Sequence, residues 1–234
     1  MLKPLAILCL IVATLGVRGE DKPTVDSVLE RYVKAVGGKE AIEKTKSLLM
    51  EGEIEIGGAK GDAKSMRKAP NKTSWQIDFN GTIYAQGYDG RRGWKNDGSS
   101  VQELEGRELR ALLRSAATPE ETNLRTLYPK LEYKGVEKVN GEQADILESN
   151  PSTGISHRLA FSTKSGFLIG RTSKDGDAKS TMELSDYKAV DGVQRPHTAH
   201  EVLESPESSF EYTLRYKKIT ANGDVKDELF AQPK

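Results

Sequence analysis

A period of two constrains this chain more than anything else in it. Over Ser47–Ile56, Leu48, Met50, Ile54 and Ile56 alternate with Leu49, Glu51, Glu53 and Glu55. Over residues 73–79, Thr73, Trp75, Ile77 and Phe79 alternate with Ser74, Gln76 and Asp78. Successive side chains of an extended chain point to opposite faces, so the pattern specifies a sheet with one dry face and one wet face. The gaps between such segments are turn dipeptides: Gly57-Gly58, Asn80-Gly81, Asp89-Gly90 and Asn140-Gly141. Those dipeptides favour tight hairpins, hence antiparallel pairing. The same signals predict strands over 82–88, 92–95, 131–139, 143–148, 156–161, 167–173, 179–187, 198–204 and 209–219. About eleven strands in succession are too many for a flat open sheet, so the sheet should curl strongly or close.

Two helical segments interrupt the pattern. Val25, Val28, Leu29, Tyr32, Val33 and Val36 make one apolar stripe at helical spacing. Pro23-Thr24 opens that helix, Ser27 with Glu30 fits a capping box, and Gly37-Gly38 closes it. A short helix over 39–45 follows. In the middle of the chain Leu109, Leu112, Leu113 and Ala116 repeat at helical spacing until Pro119, and a second helical piece over 120–128 offers Leu124 and Leu127. The expected class is mostly β (α+β), with a helical lid inserted between two runs of strands. No composition shift divides residues 20–234, which read as a single domain.

The first nineteen residues read as an export leader. Lys3 precedes an apolar run over 5–15, and Val17 and Gly19 occupy the small-residue positions before a cut at Glu20. The run is too short to span a bilayer, which takes roughly 20 residues. Cys9, the single cysteine, lies inside that run behind Ile7 and Leu8, without the small residue a lipoprotein signal needs. Cleavage would leave no thiol, hence no disulfide and no cysteine nucleophile. A disulfide-free exported domain points to a bacterial periplasm, with the chain soluble there. The whole chain has 35 basic and 35 acidic residues. Their interspersed placement argues against nucleic acid as a partner.

Candidate chemistry is sparse. His197 and His200 sit beside Glu201, but residues three apart on a strand face opposite ways and would not converge on a metal. His157 stands alone in a strand and reads as a surface residue. No serine occupies a nucleophile elbow, and no glycine-rich loop fits a phosphate. Tyr88 and Trp94 bracket the Asp89-Gly90 turn as a cross-strand aromatic pair would. Asn71-Lys72-Thr73 and Asn80-Gly81-Thr82 match a glycosylation pattern that has no meaning in a bacterial protein. The expectation is a non-enzyme without cofactor or metal.

Several landmarks recur in an order found elsewhere. Val28-Leu29-Glu30-Arg31-Tyr32 leads to Gly37-Gly38-Lys39-Glu40-Ala41 and then Met50-Glu51-Gly52. Lys68-Ala69-Pro70-Asn71-Lys72, Gly87-Tyr88-Asp89-Gly90 with Gly93-Trp94, and Phe161-Ser162 with Ser165-Gly166-Phe167-Leu168 follow. Ser185-Asp186-Tyr187, Val190-Asp191-Gly192-Val193, Pro196, and a closing Phe230 and Pro233 complete the series. In this order they resemble the LolA-like family of outer-membrane lipoprotein-sorting proteins, in its uncharacterised branches. The resemblance implies an incomplete antiparallel barrel with helices over an apolar concave face, and a cavity for acyl chains. Burying such a chain is worth about 0.8 kcal/mol per CH₂, so no specific chemistry is required. The expected cavity wall and lid comprise Trp75, Ile77, Phe79, Trp94, Leu109, Leu112, Leu113, Phe161, Leu184, Tyr212 and Leu214. The expected partners are lipid or lipoprotein acyl chains. A second reading stays open, in which the fold docks an envelope protein as a regulator or scaffold and its cavity is filled.

Overall fold

The structure, a computed structural model, describes residues 22–150 and 154–233. The expected leader, its expected cleavage site and Cys9 lie outside these residues. Thirteen strands form one sheet in which every neighbouring pair is antiparallel. The first meander comprises β1 (Ser47–Ile56), β2 (Ala59–Lys68), β3 (Lys72–Phe79), β4 (Thr82–Tyr88), β5 (Gly93–Asp97) and β6 (Val101–Leu104). The second comprises β7 (Leu131–Val139), β8 (Glu142–Ser149), β9 (Ser156–Ser162), β10 (Leu168–Asp175), β11 (Ala178–Val190), β12 (Val193–Glu204) and β13 (Ser209–Ala221). All eleven expected strands are present, several of them longer than expected; β12 begins five residues earlier than read. The two extra strands are β2 and β6. β2 lacks an apolar stripe, and β6 is a four-residue edge.

Each meander folds through local hairpins, and one non-local pairing joins them. β1 lies against β13, from Leu48 opposite Ala221 to Ile56 opposite Tyr212. The register slips between Glu51 and Gly52, the mark of a bulge. Glycine is needed there for space. A Cβ on Gly52 would lie 2.0 Å from the Arg215 carbonyl oxygen and 2.7 Å from the Tyr216 Cα.

The sheet curls until its wings face each other. Glu120 pairs with Arg67 of β2 and with Arg171 of β10. Those strands are five positions apart in the sheet, about 24 Å on a flat ladder at ~4.8 Å per strand. A single carboxylate reaches both only across a deep concavity. The free edges are β6 and β7, and residues 105–130 connect them. That connection has to cross the mouth of the curl.

Helices cover the concave side of β8–β10. In α1 (Val25–Ala35) the capping box is built by Thr24 and Ser27, one turn before the expected pair. The Thr24 hydroxyl accepts from the Ser27 N–H at 3.1 Å, and the Ser27 hydroxyl accepts from the Thr24 N–H at 2.9 Å. Val28, Tyr32 and Val36 are buried against Leu147, Leu159 and Phe161, with the Tyr32 and Phe161 rings edge to face at 5.3 Å. Arg31 donates to the buried Asp145, which also accepts from the Tyr133 hydroxyl at 2.8 Å. The α2 helix (Lys39–Lys44) buries Ile42 in the same cluster as Val28, Tyr32 and Val36. The expected second helix of the insert shrinks to one turn, α4 (Leu124–Leu127). Residues 120–123 form a turn instead, in which the Asn123 side-chain amide donates to the Pro119 carbonyl.

The convex side carries its own small core. Leu49, Met66, Val225 and Phe230 pack together where the closing 3₁₀ helix (Asp227–Phe230) folds back. Trp94 belongs here. It pairs with Gly87, opposite Ser74, on the face away from Trp75, and its indole N–H donates to the Phe230 carbonyl at 2.8 Å. Tyr88 pairs with Gly93, so Tyr88 and Trp94 take opposite faces and form no cross-strand pair. Trp94→Phe should lower unfolding stability by about 2 kcal/mol, because a buried carbonyl loses its donor and the smaller ring leaves a void. Urea denaturation of the two proteins checks this.

Candidate ligand-binding trough

An apolar trough of about 430 Å³ opens on the concave face of β1, β2, β3, β12 and β13. Ile54 and Ile56 come from β1, Trp75 and Ile77 from β3, Leu203 from β12, and Phe210, Tyr212, Leu214 and Tyr216 from β13. Register explains the convergence: Ile77 is opposite Ala63, Trp75 opposite Ser65, and Leu214 opposite Ile54. The concave positions of β2 are Ala59, Gly61, Ala63, Ser65 and Arg67. Ala63 and Ser65, small residues between two strands of large ones, create the hollow. At its rim Trp75 is 36% and Phe210 50% exposed, and the Trp75 indole N–H donates to the Gln86 side-chain carbonyl at 3.1 Å.

Tyr212, Leu214 and Tyr216 continue into a deeper recess of about 190 Å³ with a charged floor. There the loop after α3 (Gly106–Ala116) inserts two acids. The Arg171 guanidinium lies 2.6 Å from the Glu120 carboxylate and that of Arg67 at 3.3 Å. Arg195 donates to Glu121 at 2.7 Å and to the Thr45 hydroxyl at 3.2 Å. Burial opposes ionisation of Glu120, but the charges of Arg171 and Arg67 outweigh it and hold the carboxyl below its ordinary range. Burial pushes the Tyr187 and Tyr32 phenols up, with nearby Glu121 adding to the effect. Glu201, almost wholly buried, accepts from the hydroxyls of Tyr212 and Ser180. Every acid on this floor is therefore satisfied from within the protein.

The expected site residues separate into four groups. Trp75, Ile77, Tyr212 and Leu214 meet in the trough, and Leu184 lines the recess. Phe79 extends the Trp75 stripe but lies beyond the hollow, over Gly61 and edge to face with Tyr84. Leu109 and Leu112 seat α3 on β5, over Gly93, where a Cβ would meet the Leu109 methyl at 2.7 Å. They fasten the helix without lining the trough, and Leu113 is 38% exposed. Phe161 is wholly buried beneath Tyr32, and Trp94 faces the convex side, so neither is a wall residue. His157, expected on the surface, is half-buried on the concave side with its ring against Tyr128 at 5.0 Å. Leu203 and the small residues of β2 carry no apolar signal strong enough to nominate them. The His197 ring bonds the Arg195 carbonyl and the His200 ring the Thr213 hydroxyl, so the two do not converge.

An open antiparallel half-barrel with a strapped apolar concavity is a known architecture. The sequence matches no protein-family model and no curated protein. Solved structures do match. A DUF1329 family protein from Desulfovibrio piger is 17% identical, with 88% of this chain and 97% of that chain covered at a TM-score of 0.57. A putative outer membrane lipoprotein-sorting protein domain from Vibrio parahaemolyticus is 14% identical, covering 79% and 89% at 0.56. A LolA superfamily protein from Nitrosomonas europaea is 12% identical, covering 90% and 98% at 0.57. The chain therefore has the LolA-like fold. Among the described residues no group of three His, Cys, Asp or Glu side chains could hold a metal, and no helix is long and apolar enough to cross a membrane.

Proposed function

We propose that this protein is exported to a periplasm and shelters acyl chains of lipids or lipoproteins in the trough, without catalysing a reaction. The observation that supports this best is the trough itself. It is apolar, rimmed by two exposed aromatic side chains, and its volume of about 430 Å³ lies in the range of small-molecule sites. A regulator with a vestigial cavity calls for large side chains in that space, and β2 puts Ala63 and Ser65 there. The likeness to a putative lipoprotein-sorting domain agrees with the reading.

The test is native mass spectrometry of the full chain purified from an exporting host, followed by lipid extraction. The expected result is co-purified acyl lipid in the wild type and its loss in Ile77→Asp, since a carboxylate in the wall costs the desolvation of a charge. A ligand-free wild-type mass that stays unchanged after incubation with a fatty acid would overturn the proposal.

A further inference from the structure

A second cleft, of about 480 Å³, lies between α3 and the wing β8–β10. Its helical wall is basic. Arg107, Arg110 and Arg114 sit at i, i+3 and i+7, so they form one stripe. Leu109 and Leu112 form another stripe, which holds the helix on β5. The facing wall includes Ser149, His157 and Asp175. Arg107 pairs with Asp175 at 3.1 Å. Arg110 and Arg114 have no carboxylate partner among the described residues, and the helix's Glu108 is turned away towards Lys95 at 2.9 Å. The cleft thus holds two uncompensated guanidinium groups. Burial first, then the charges of Arg114 and Arg171, bring His157 on the opposite wall down to about 4, so its ring is neutral at pH 7 and keeps an N–H to donate.

This cleft is continuous with the trough. Phe210, Leu203, Ser180, Ser173, His157 and Ser149 are successive register partners across β13, β12, β11, β10, β9 and β8, so they form one row on the concave face. A hollow of about 250 Å³ joins the two ends. It shares Leu203 and Phe210 with the trough, and Ile155 and Asp175 with the basic cleft. From Phe210 to His157 is four strand spacings, about 19 Å along the ladder and less across the curl.

We propose that the basic cleft binds the anionic headgroup of an amphiphile, a phosphate or carboxylate, whose tail lies in the trough. The inference rests on the acyl-chain reading of the trough and adds the class of ligand: an anionic rather than a neutral or cationic amphiphile. Guanidinium forks fit either oxyanion in a bidentate manner. Two of them one helical turn apart can hold one headgroup while Ile155, Leu203 and Phe210 along the connecting hollow guide the tail.

Calorimetric titration of the full chain with decyl phosphate, decanol and inorganic phosphate tests this, the first two kept below their aggregation limits. Decyl phosphate should bind at least tenfold more tightly than decanol, and inorganic phosphate far more weakly than either. Arg110→Gln with Arg114→Gln should abolish that preference and leave decanol binding unchanged. Both sites are on an exposed or half-exposed helical surface where glutamine is a good helix former, and circular dichroism confirms folding. Leu203→Asp, three strand spacings from His157, should weaken both alkyl ligands. Equal binding of decyl phosphate and decanol to the wild type, or a preference that survives the double substitution, overturns the headgroup site while the acyl-chain reading stands. Inorganic phosphate binding as tightly as decyl phosphate overturns it in favour of a free-anion site. Failure of both alkyl ligands to bind overturns both readings.

Discussion

Gly52→Ala should destabilise the protein by about 3 kcal/mol, more than any other single added methyl group in the sheet. Overpacking commonly costs about 1–3 kcal/mol when side chains can adjust. Here the obstacles are the Arg215 carbonyl oxygen at 2.0 Å and the Tyr216 Cα at 2.7 Å, both backbone atoms. Relief requires β1 and β13 to move apart at the bulge. That pairing is the only one in the sheet between strands far apart in sequence. Every other neighbour is reached through a short connection, whereas this one brings the ends of the two meanders together. A separation at Gly52 therefore weakens the seam on which the concavity depends. The control is Gly170→Ala in β10, where the nearest atom to the added carbon is a side-chain methyl at 3.4 Å. It should change stability by less than ~1 kcal/mol. Urea denaturation of both variants reads the difference, and equal midpoints would contradict the account.

The strands that the sequence announces share a feature: large apolar residues at every second position, ended by glycine or asparagine. β1, β3 and β4 were legible to within a residue on those grounds. β2 was not, because its concave positions hold Ala59, Gly61, Ala63, Ser65 and Arg67, and its one large apolar residue, Met66, belongs to the convex core. The residues that make the trough hollow are the ones a search for apolar periodicity passes over. A cavity of this kind is written as missing side chains, and only the register that puts Ala63 opposite Ile77 reveals it. The same parity decides Trp94. Its strand is short, and nothing in the residues 93–97 distinguishes the trough side from the side covered by Phe230. Long-range placement by the chain's end, not local pattern, sets that face.

The helical insert was legible in part. Its leucine stripe placed α3, but the arginine stripe beside it reads in sequence as an ordinary solvated face. The sheet topology changes that reading. Because residues 105–130 run between the two free edges, the arginines, though open to solvent, also face the opposite wing. Glu120 and Glu121 were likewise indistinguishable from surface acids, and folding carries them inside to face three arginines.

Glu120→Gln should therefore cost about 3 kcal/mol at neutral pH, the lower end of what removing one partner of a buried ion pair costs, since Arg67 and Arg171 keep some solvent contact. Glutamine can still accept a hydrogen bond but leaves two guanidinium groups facing each other without a countercharge. The pH dependence identifies the cause. The folded-state pKa of Glu120 is depressed, so its contribution is fully present above the unfolded value of about 4.3 and fades as pH falls through the lower folded value. The stability gap between wild type and Glu120→Gln should thus be constant near neutrality and shrink in increasingly acidic buffer. Asp97 and Asp227, both lowered to about 2 by their own partners, titrate equally in the two proteins and cancel in that difference. Hydrogen exchange in residues 105–127 should quicken in the variant, because Glu120 is the one residue of the strap that holds both β2 and β10. A gap that stays the same from pH 7 down to pH 3 would mean that packing of the loop, and not its charge, secures the strap across the mouth of the trough.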